Sequence, residues 1–167
     1  MKVYETKNIR NVGLYGHQSS GKTSLGEAFL FLGKTSTRLC SVNEGNSNFD
    51  FDAEEFKRRL SISTSIGYAE WKKNLVNIVD TPGDTNFLVD TMISAMAIDA
   101  GIVVISASDS IQVGTEKTWG YLNDENLPRL IFINKMDRER ADFDKVAADI
   151  VEIFGNSAIP FQIPMGK

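Results

Sequence analysis

The sequence predicts an α/β fold, a mostly parallel β-sheet covered by helices on both faces and carrying one antiparallel strand at its edge. Two observations point to it. Short apolar runs of strand length alternate with stripes of helical spacing, and polar motifs rich in Gly, Asp and Asn begin where three of those runs end. The alternation breaks once, at residues 60–71 and 75–79, where only Lys72-Lys73-Asn74 intervenes. That pair reads as antiparallel.

In chain order, residues 9–15 form the first apolar run. Leu25, Ala28, Phe29 and Leu32 follow at helical spacing, with Gly33 as the stop. Residues 34–59 show no sustained period; so long an aperiodic stretch inside a compact domain is usually functional, disordered or both. After the antiparallel pair, Leu88, Met92, Ala95 and Met96 make a helical stripe and residues 101–107 a buried strand. Ile111, Thr115, Trp119 and Leu122 share a helical face, and residues 130–133 form another strand. Phe143, Val146, Ala147, Ile150, Val151 and Phe154 give the cleanest helix, and residues 159–163 read as a final strand. The apolar stripes are core.

Composition narrows the function. A chain of 167 residues fits one domain and buries roughly 70% of its unfolded surface. A net charge of −4 argues against a broad basic face for nucleic acid, and no direct nucleic-acid site is evident. One cysteine, Cys40, forms no internal disulfide, and one histidine, His17, builds no histidine-rich metal site; both suit a reducing cytoplasm. The start, Met1-Lys2-Val3-Tyr4-Glu5, lacks the apolar core of a signal peptide. No apolar run approaches the roughly 18 residues of a membrane span.

Three motifs carry the chemistry, each at the carboxyl end of a strand, where ligands of such sheets bind. Gly16-His17-Gln18-Ser19-Ser20-Gly21-Lys22-Thr23 matches the phosphate-binding loop in full. Gly16 and Gly21 let the backbone wrap phosphates so that N–H groups point inward, and the next helix, with Ser24 in its first turn, adds its positive end. Lys22 is expected to reach the β- and γ-phosphates and the Thr23 hydroxyl to ligate Mg2+. Asp80-Thr81-Pro82-Gly83 closes the 75–79 strand. Asp80 is placed to reach Mg2+ through water, while Gly83 offers its N–H to a γ-phosphate, a contact that exists only with a triphosphate. Asn134-Lys135-Met136-Asp137 reads the base. An aspartate carboxylate at 137 accepts from the N1–H and 2-amino group of guanine, where adenine offers a lone pair. Asn134 would tie the base edge to the phosphate loop, and the Lys135 stem would lie over the ring. His17 reads as packing or hydrogen-bonding locally rather than acting as a base. The expectation is a three-layer phosphate-loop fold that binds GTP and GDP.

These motifs carry a resemblance. Gly16 to Leu25, Asp80-Thr81-Pro82-Gly83 with Asn86-Phe87, and Asn134-Lys135-Met136-Asp137-Arg138-Glu139-Arg140-Ala141-Asp142-Phe143 resemble translation elongation factor G, above all its divergent paralogues. The resemblance covers essentially the whole chain. It implies one GTP-binding domain over residues 1–167, truncated on its C-terminal side. The closing Ile159-Pro160-Phe161-Gln162-Ile163-Pro164-Met165-Gly166 resembles the point where that family inserts a subdomain. The family's Ser-Ala base loop and ribosome-engaging domains would lie beyond. A monomeric, cytoplasmic protein acting on the ribosome is implied.

Three departures from the family matter. Aligned on Arg-Gly-Ile-Thr-Ile, residues 58–62 put Ser61 at the magnesium-ligating switch position, with Ser63 and Thr64 as alternatives. Ser19 replaces an aspartate that helps hold a monovalent cation, leaving potassium dependence open. Asp84 replaces the histidine that positions the attacking water. It either takes that role, with Lys22 and Gly83 as the other catalytic groups, or merely caps the helix starting near Thr85. Since a carboxylate beside the γ-phosphate adds unfavourable charge, slow intrinsic hydrolysis is expected. The run Glu54-Glu55-Phe56-Lys57-Arg58-Arg59 reads as the solvated face of a short helix. Rival functions are a ribosomal protection protein and a GTP-binding switch with little turnover.

Overall fold

The computed structural model describes residues 2–165; Met1 and Gly166 of the motifs above lie outside them. Strand β1 (Ile9–Tyr15) leads through the phosphate-loop sequence into α1 (Lys22–Leu32). Residues 33–64 follow as a long excursion holding the short helix α2 (Ala53–Arg58). The hairpin β2 (Ser65–Trp71) and β3 (Asn74–Asp80) comes next, then α3 (Leu88–Ala95), β4 (Ala100–Ser106), α4 (Val113–Asp124), β5 (Arg129–Asn134) and α5 (Phe143–Phe154). The sheet runs β2-β3-β1-β4-β5, parallel except for the β2–β3 pair. The tight connection Trp71 to Asn74 turns through Lys72 and Lys73, both at positive φ. The α/β class and its single antiparallel edge strand are as the sequence indicates.

Alternation along the strands divides the core in two. Tyr15, Val79, Val103 and Ile105 point to one face, where Ala95 of α3, Leu122 of α4 and Val146 and Ile150 of α5 cover them. Leu14 and Ile78 point to the other, against Leu30 of α1 and Ala69 of β2. The helices therefore make the outer layers of a three-layer sandwich. Trp119 and Phe154 stack at 4.1 Å between centroids and join α4 to α5, and the Arg129 guanidinium lies 4.5 Å from the Trp119 ring centre. No helix among the described residues is long and apolar enough to cross a membrane.

Register sets the site. Leu14 lies level with Asp80, Tyr15 with Val103, and Ser106 with Asn134. The ends of β1, β3, β4 and β5 thus open onto one edge of the sheet, and the three motifs emerge side by side.

Three expectations are corrected. The strand drawn over residues 60–71 begins only at Ser65. The backbone N–H groups of Ile62 and Ser63 donate instead to the Glu55 side chain, which takes them out of the ladder. The charge run is not a uniformly solvated face, since Glu55 is fully buried while Glu54 pairs outside with Arg58 at 3.0 Å. Residues 159–163 form no strand. Ile159, Phe161 and Ile163 alternate, but the paired edge of β5 is taken by β4, and no described strand lies on its other side.

The aperiodic stretch is also more ordered than its composition suggests. Phe49 is 2% exposed and inserts between α1 and β2 at two glycines. A Cβ on Gly26 would fall 2.8 Å from its ring, and one on Gly67 2.9 Å. Truncating such a plug leaves a cavity and typically costs about 3–5 kcal/mol. Phe49→Ala is therefore expected to lower the free energy of denaturant unfolding by about 3 kcal/mol. Phe51→Ala, at a side chain 67% exposed, should stay within about 0.5 kcal/mol of the parent.

Candidate functional site

The turn between β1 and α1 is built from backbone that few residues adopt. Gly16 sits at φ 132° and Gly21 at φ 102°, and Ser19 is left-handed at φ 59°. A Cβ at Gly16 would lie 2.3 Å from the Val104 carbonyl oxygen, and one at Gly21 2.2 Å from Asn134 Nδ2. Both glycines are thus required by space as well as by φ. Gln18 and Ser19 are exposed, Ser20 and Lys22 buried, and Ser24 faces solvent on α1.

Lys22 Nζ folds back to donate to the carbonyls of Gly16 at 3.0 Å and His17 at 2.9 Å. A Cβ on Gly83 would lie 2.3 Å from that ammonium and 2.7 Å from Gln18 N. The lysine, a loop amide and the Gly83 backbone therefore converge on one point. The turn carrying Gly83 is fixed from beneath, where Thr81 Oγ1 donates to the Leu14 carbonyl at 2.6 Å and Thr91 Oγ1 to the Pro82 carbonyl at 2.9 Å.

Beside this point runs a chain of oxygen ligands. Thr23 Oγ1 donates to Asp80 Oδ2 at 2.6 Å and lies 3.2 Å from Ser61 Oγ, which in turn donates to Asp50 Oδ1 at 3.1 Å. Of the three switch hydroxyls, Ser61 is the one placed beside Thr23; Ser63 turns its N–H to Glu55. The second Asp80 oxygen, Oδ1, is buried with no hydrogen-bond partner. Burial raises Asp80 to about 7 despite the Thr23 hydrogen bond and the Lys22 charge. It lowers Lys22 to about 8 against the attraction of Asp80, and it raises Asp50 as well. Two carboxylates, one of them with an unsatisfied oxygen, and two hydroxyls form a hard-oxygen set that suits Mg2+, and a desolvated ammonium beside loop amides suits a phosphate.

At the far side, Asn134 Nδ2 donates to the Ser20 carbonyl at 3.0 Å and Lys135 Nζ to the Ser19 carbonyl at 2.5 Å. The end of β5 is thereby tied to the phosphate-loop sequence. Lys135 stretches over the edge of the loop, and Asp137 is exposed. Asp84 accepts from the backbone and side-chain nitrogens of Asn86, both at 2.9 Å, and so caps the short turn Thr85–Phe87. His17 is half-buried, packed where a Cβ on Gly114 would come within 2.7 Å of its Nδ1. It makes no hydrogen bond at that atom.

Asp50, Glu27 and Glu55 are features the sequence reading missed. They lie in or against an aperiodic stretch, and only the fold joins Asp50 to Ser61, Glu55 to Ile62 and Ser63, and Glu27 to Ser47 and Asn48. Local spacing would have supported one of them: Asp52 and Glu55 make a capping box around the start of α2.

A glycine-built loop at the end of β1, a carboxylate at the end of β3 and an asparagine bridge from β5 define a phosphate-loop nucleotide-binding protein. The family profile described as the Elongation factor Tu GTP binding domain matches residues 7–163, and the chain belongs to that family. It is similar to Elongation factor G 2 of Borreliella burgdorferi, 38% identical over 160 residues, covering 96% of this chain and 24% of that protein. It is also similar to the mitochondrial Ribosome-releasing factor 2 of Culex quinquefasciatus, 35% identical over 161 residues, covering 96% and 22%. A crystal structure of a protein from Thermus thermophilus superposes with a TM-score of 0.84 at 32% identity, covering 88% of this chain and 22% of that one. The chain thus spans about a quarter of the length of the curated relatives it matches.

Gly21→Ala tests the spatial argument. The added methyl meets the Asn134 amide and the φ is unfavourable, so the 134–20 bridge must break. Nucleotide affinity is expected to fall by about a hundredfold, roughly 2.7 kcal/mol, in an equilibrium titration, with the far-ultraviolet circular dichroism unchanged.

Proposed function

We propose that this chain is the GTP-binding and GTP-hydrolysing unit of a translational GTPase of the elongation factor G type, working with Mg2+ on the ribosome in the cytoplasm. The observation that carries the reading is the convergence of Lys22, Gly83, Thr23, Asp80 and Asn134 at one sheet edge, with Asn134 bonded to the phosphate-loop carbonyl. The relatives, named as elongation and ribosome-releasing factors, support the ribosomal setting. A monomer and a single GTP-binding unit over residues 1–167 belong to the same reading.

In this scheme the loop amides of residues 16–23 and the Lys22 ammonium hold the β- and γ-phosphates. Thr23 and Ser61 hold Mg2+ directly and Asp80 through water, with Asp50 orienting Ser61. The metal, when bound, neutralises charge developing on the phosphate oxygens. Gly83 directs its N–H to the γ-phosphate, and Asp137 accepts from the guanine edge. Lys22 and Gly83 are the groups poised on the transferred phosphoryl. Asp84 is instead engaged with Asn86, which favours slow turnover without a partner. The same cap favours a second reading, a GTP-binding switch with little turnover of its own.

Guanine selection is tested by titrating labelled GDP against ADP. The chain should prefer GDP strongly, and Asp137→Asn should erase most of that preference; equal affinity in the parent would defeat the assignment.

Replacing Asp84 with histidine should raise single-turnover hydrolysis by the full-length protein on ribosomes about tenfold, about 1.4 kcal/mol of transition-state stabilisation. GTP affinity should stay nearly unchanged. A loss of hydrolysis in both Asp84→His and Asp84→Ala would instead make Asp84 the water-positioning group.

A further inference from the structure

Glu27 lies one helical turn after Thr23 on α1 and is fully buried. Positions four apart share a helix face, so the face that offers Thr23 to Asp80 also carries this carboxylate. Among the described residues, all the hydrogen bonds its carboxylate accepts come from the long excursion. Ser47 Oγ donates to Oε1 at 2.9 Å, the Asn48 backbone N–H to Oε1 at 2.5 Å, and Asn48 Nδ2 to Oε2 at 2.8 Å. No salt bridge among the described residues includes it.

The two residues that follow these donors are the Phe49 plug and Asp50, whose carboxylate takes the Ser61 hydroxyl. Farther along, Glu55 accepts from the N–H groups of Phe51, Asp52, Ile62 and Ser63. Burial works to raise Glu55, and these backbone bonds outweigh it and hold it below the usual range. Residues 51–63 are thereby gathered around one side chain, and the gathered unit is fastened to α1 at residues 47 and 48.

We infer that Glu27 is a positioning residue for the GTP-bound state. It docks residues 47–63 on α1 so that Asp50 and Ser61 face Thr23 and Asp80. This rests on the magnesium and GTP reading above for its consequence in binding, though the docking itself does not. The chemistry suits a reversible latch. A buried carboxylate is tolerable only while its hydrogen bonds are made. When the loop leaves, water replaces Ser47 and Asn48, and the group regains hydration.

The test compares Glu27→Ala with the double variant Ser47→Ala/Asn48→Ala, which removes two of the three donors while leaving α1 intact. For each, affinity for a non-hydrolysable GTP analogue and for GDP is measured with Mg2+, alongside hydrogen exchange at residues 47–63. Analogue affinity should fall about tenfold while GDP affinity stays within about twofold, and exchange in the analogue-bound state should speed at least tenfold. Equal losses for both nucleotides would make Glu27 merely structural and overturn the inference, as would unchanged affinity and exchange. If the parent binds neither guanine nucleotide, the functional reading fails instead. Exchange at 47–63 in the free chain then still decides the docking: unchanged rates in the variants would overturn it, and faster rates would uphold it.

Discussion

Thr23 Oγ1 and Asp80 Oδ2 stand 2.6 Å apart with the Asp80 side chain almost wholly buried, and much of the molecule serves to put them there. Thr23 belongs to the first turn of α1 and Asp80 to the last residue of β3. They meet because β1 and β3 run parallel with Leu14 level with Asp80. A one-residue slip of that ladder would turn Asp80 to the opposite face of the sheet. It would also exchange Ile78 and Val79 between the two halves of the core, so the hydrophobic packing that stabilises the sheet is also what aims the carboxylate. The same register logic carries Asn134 to the phosphate-loop sequence through β4 and β5.

The site carries charges that a core selected for stability alone would lack. Lys22, Glu27, Asp50, Glu55 and Asp80 are all buried. Glu27 and Glu55 are relieved by hydrogen bonds from the chain itself. Lys22 and Asp80 are relieved only in part, as their opposed shifts show, the ammonium downward and the carboxylate upward. Breaking one partner of a buried charged pair usually costs several kcal/mol, so such an arrangement persists where a charged ligand repays it.

What the sequence disclosed and withheld follows from how far apart the interacting residues lie. The phosphate loop, the Asp80 turn and the Asn134 segment are contiguous motifs at the ends of periodic elements, so their place in the fold was readable. Ser61 was singled out, with Ser63 and Thr64 as alternatives, through alignment with a family pattern, and the fold puts Ser61 beside Thr23. Asp50, Glu27 and Glu55 act across 11, 21 and 7 residues of chain, respectively, measured to Ser61, Asn48 and Ile62. No period links such positions. The strand boundary at 60–64 was missed because a side chain, Glu55, captures backbone donors that the apolar pattern assigns to a ladder. Residues 159–163 have the alternation of a strand without a described neighbour, and alternation alone makes no hydrogen bonds. Asp84 remained ambiguous for a different reason, since both capping and water binding use the same carboxylate.

The most direct test of the account is a crystal structure of the chain with Mg2+ and a non-hydrolysable GTP analogue, at a resolution that places the cation's ligands. The account predicts octahedral Mg2+ with Thr23 Oγ1 and Ser61 Oγ at about 2.1 Å, Asp80 reaching it through water, and Lys22 turned from the loop carbonyls to the phosphates. A cation held by other residues, or Thr23 still donating to Asp80 with the analogue bound, would contradict it.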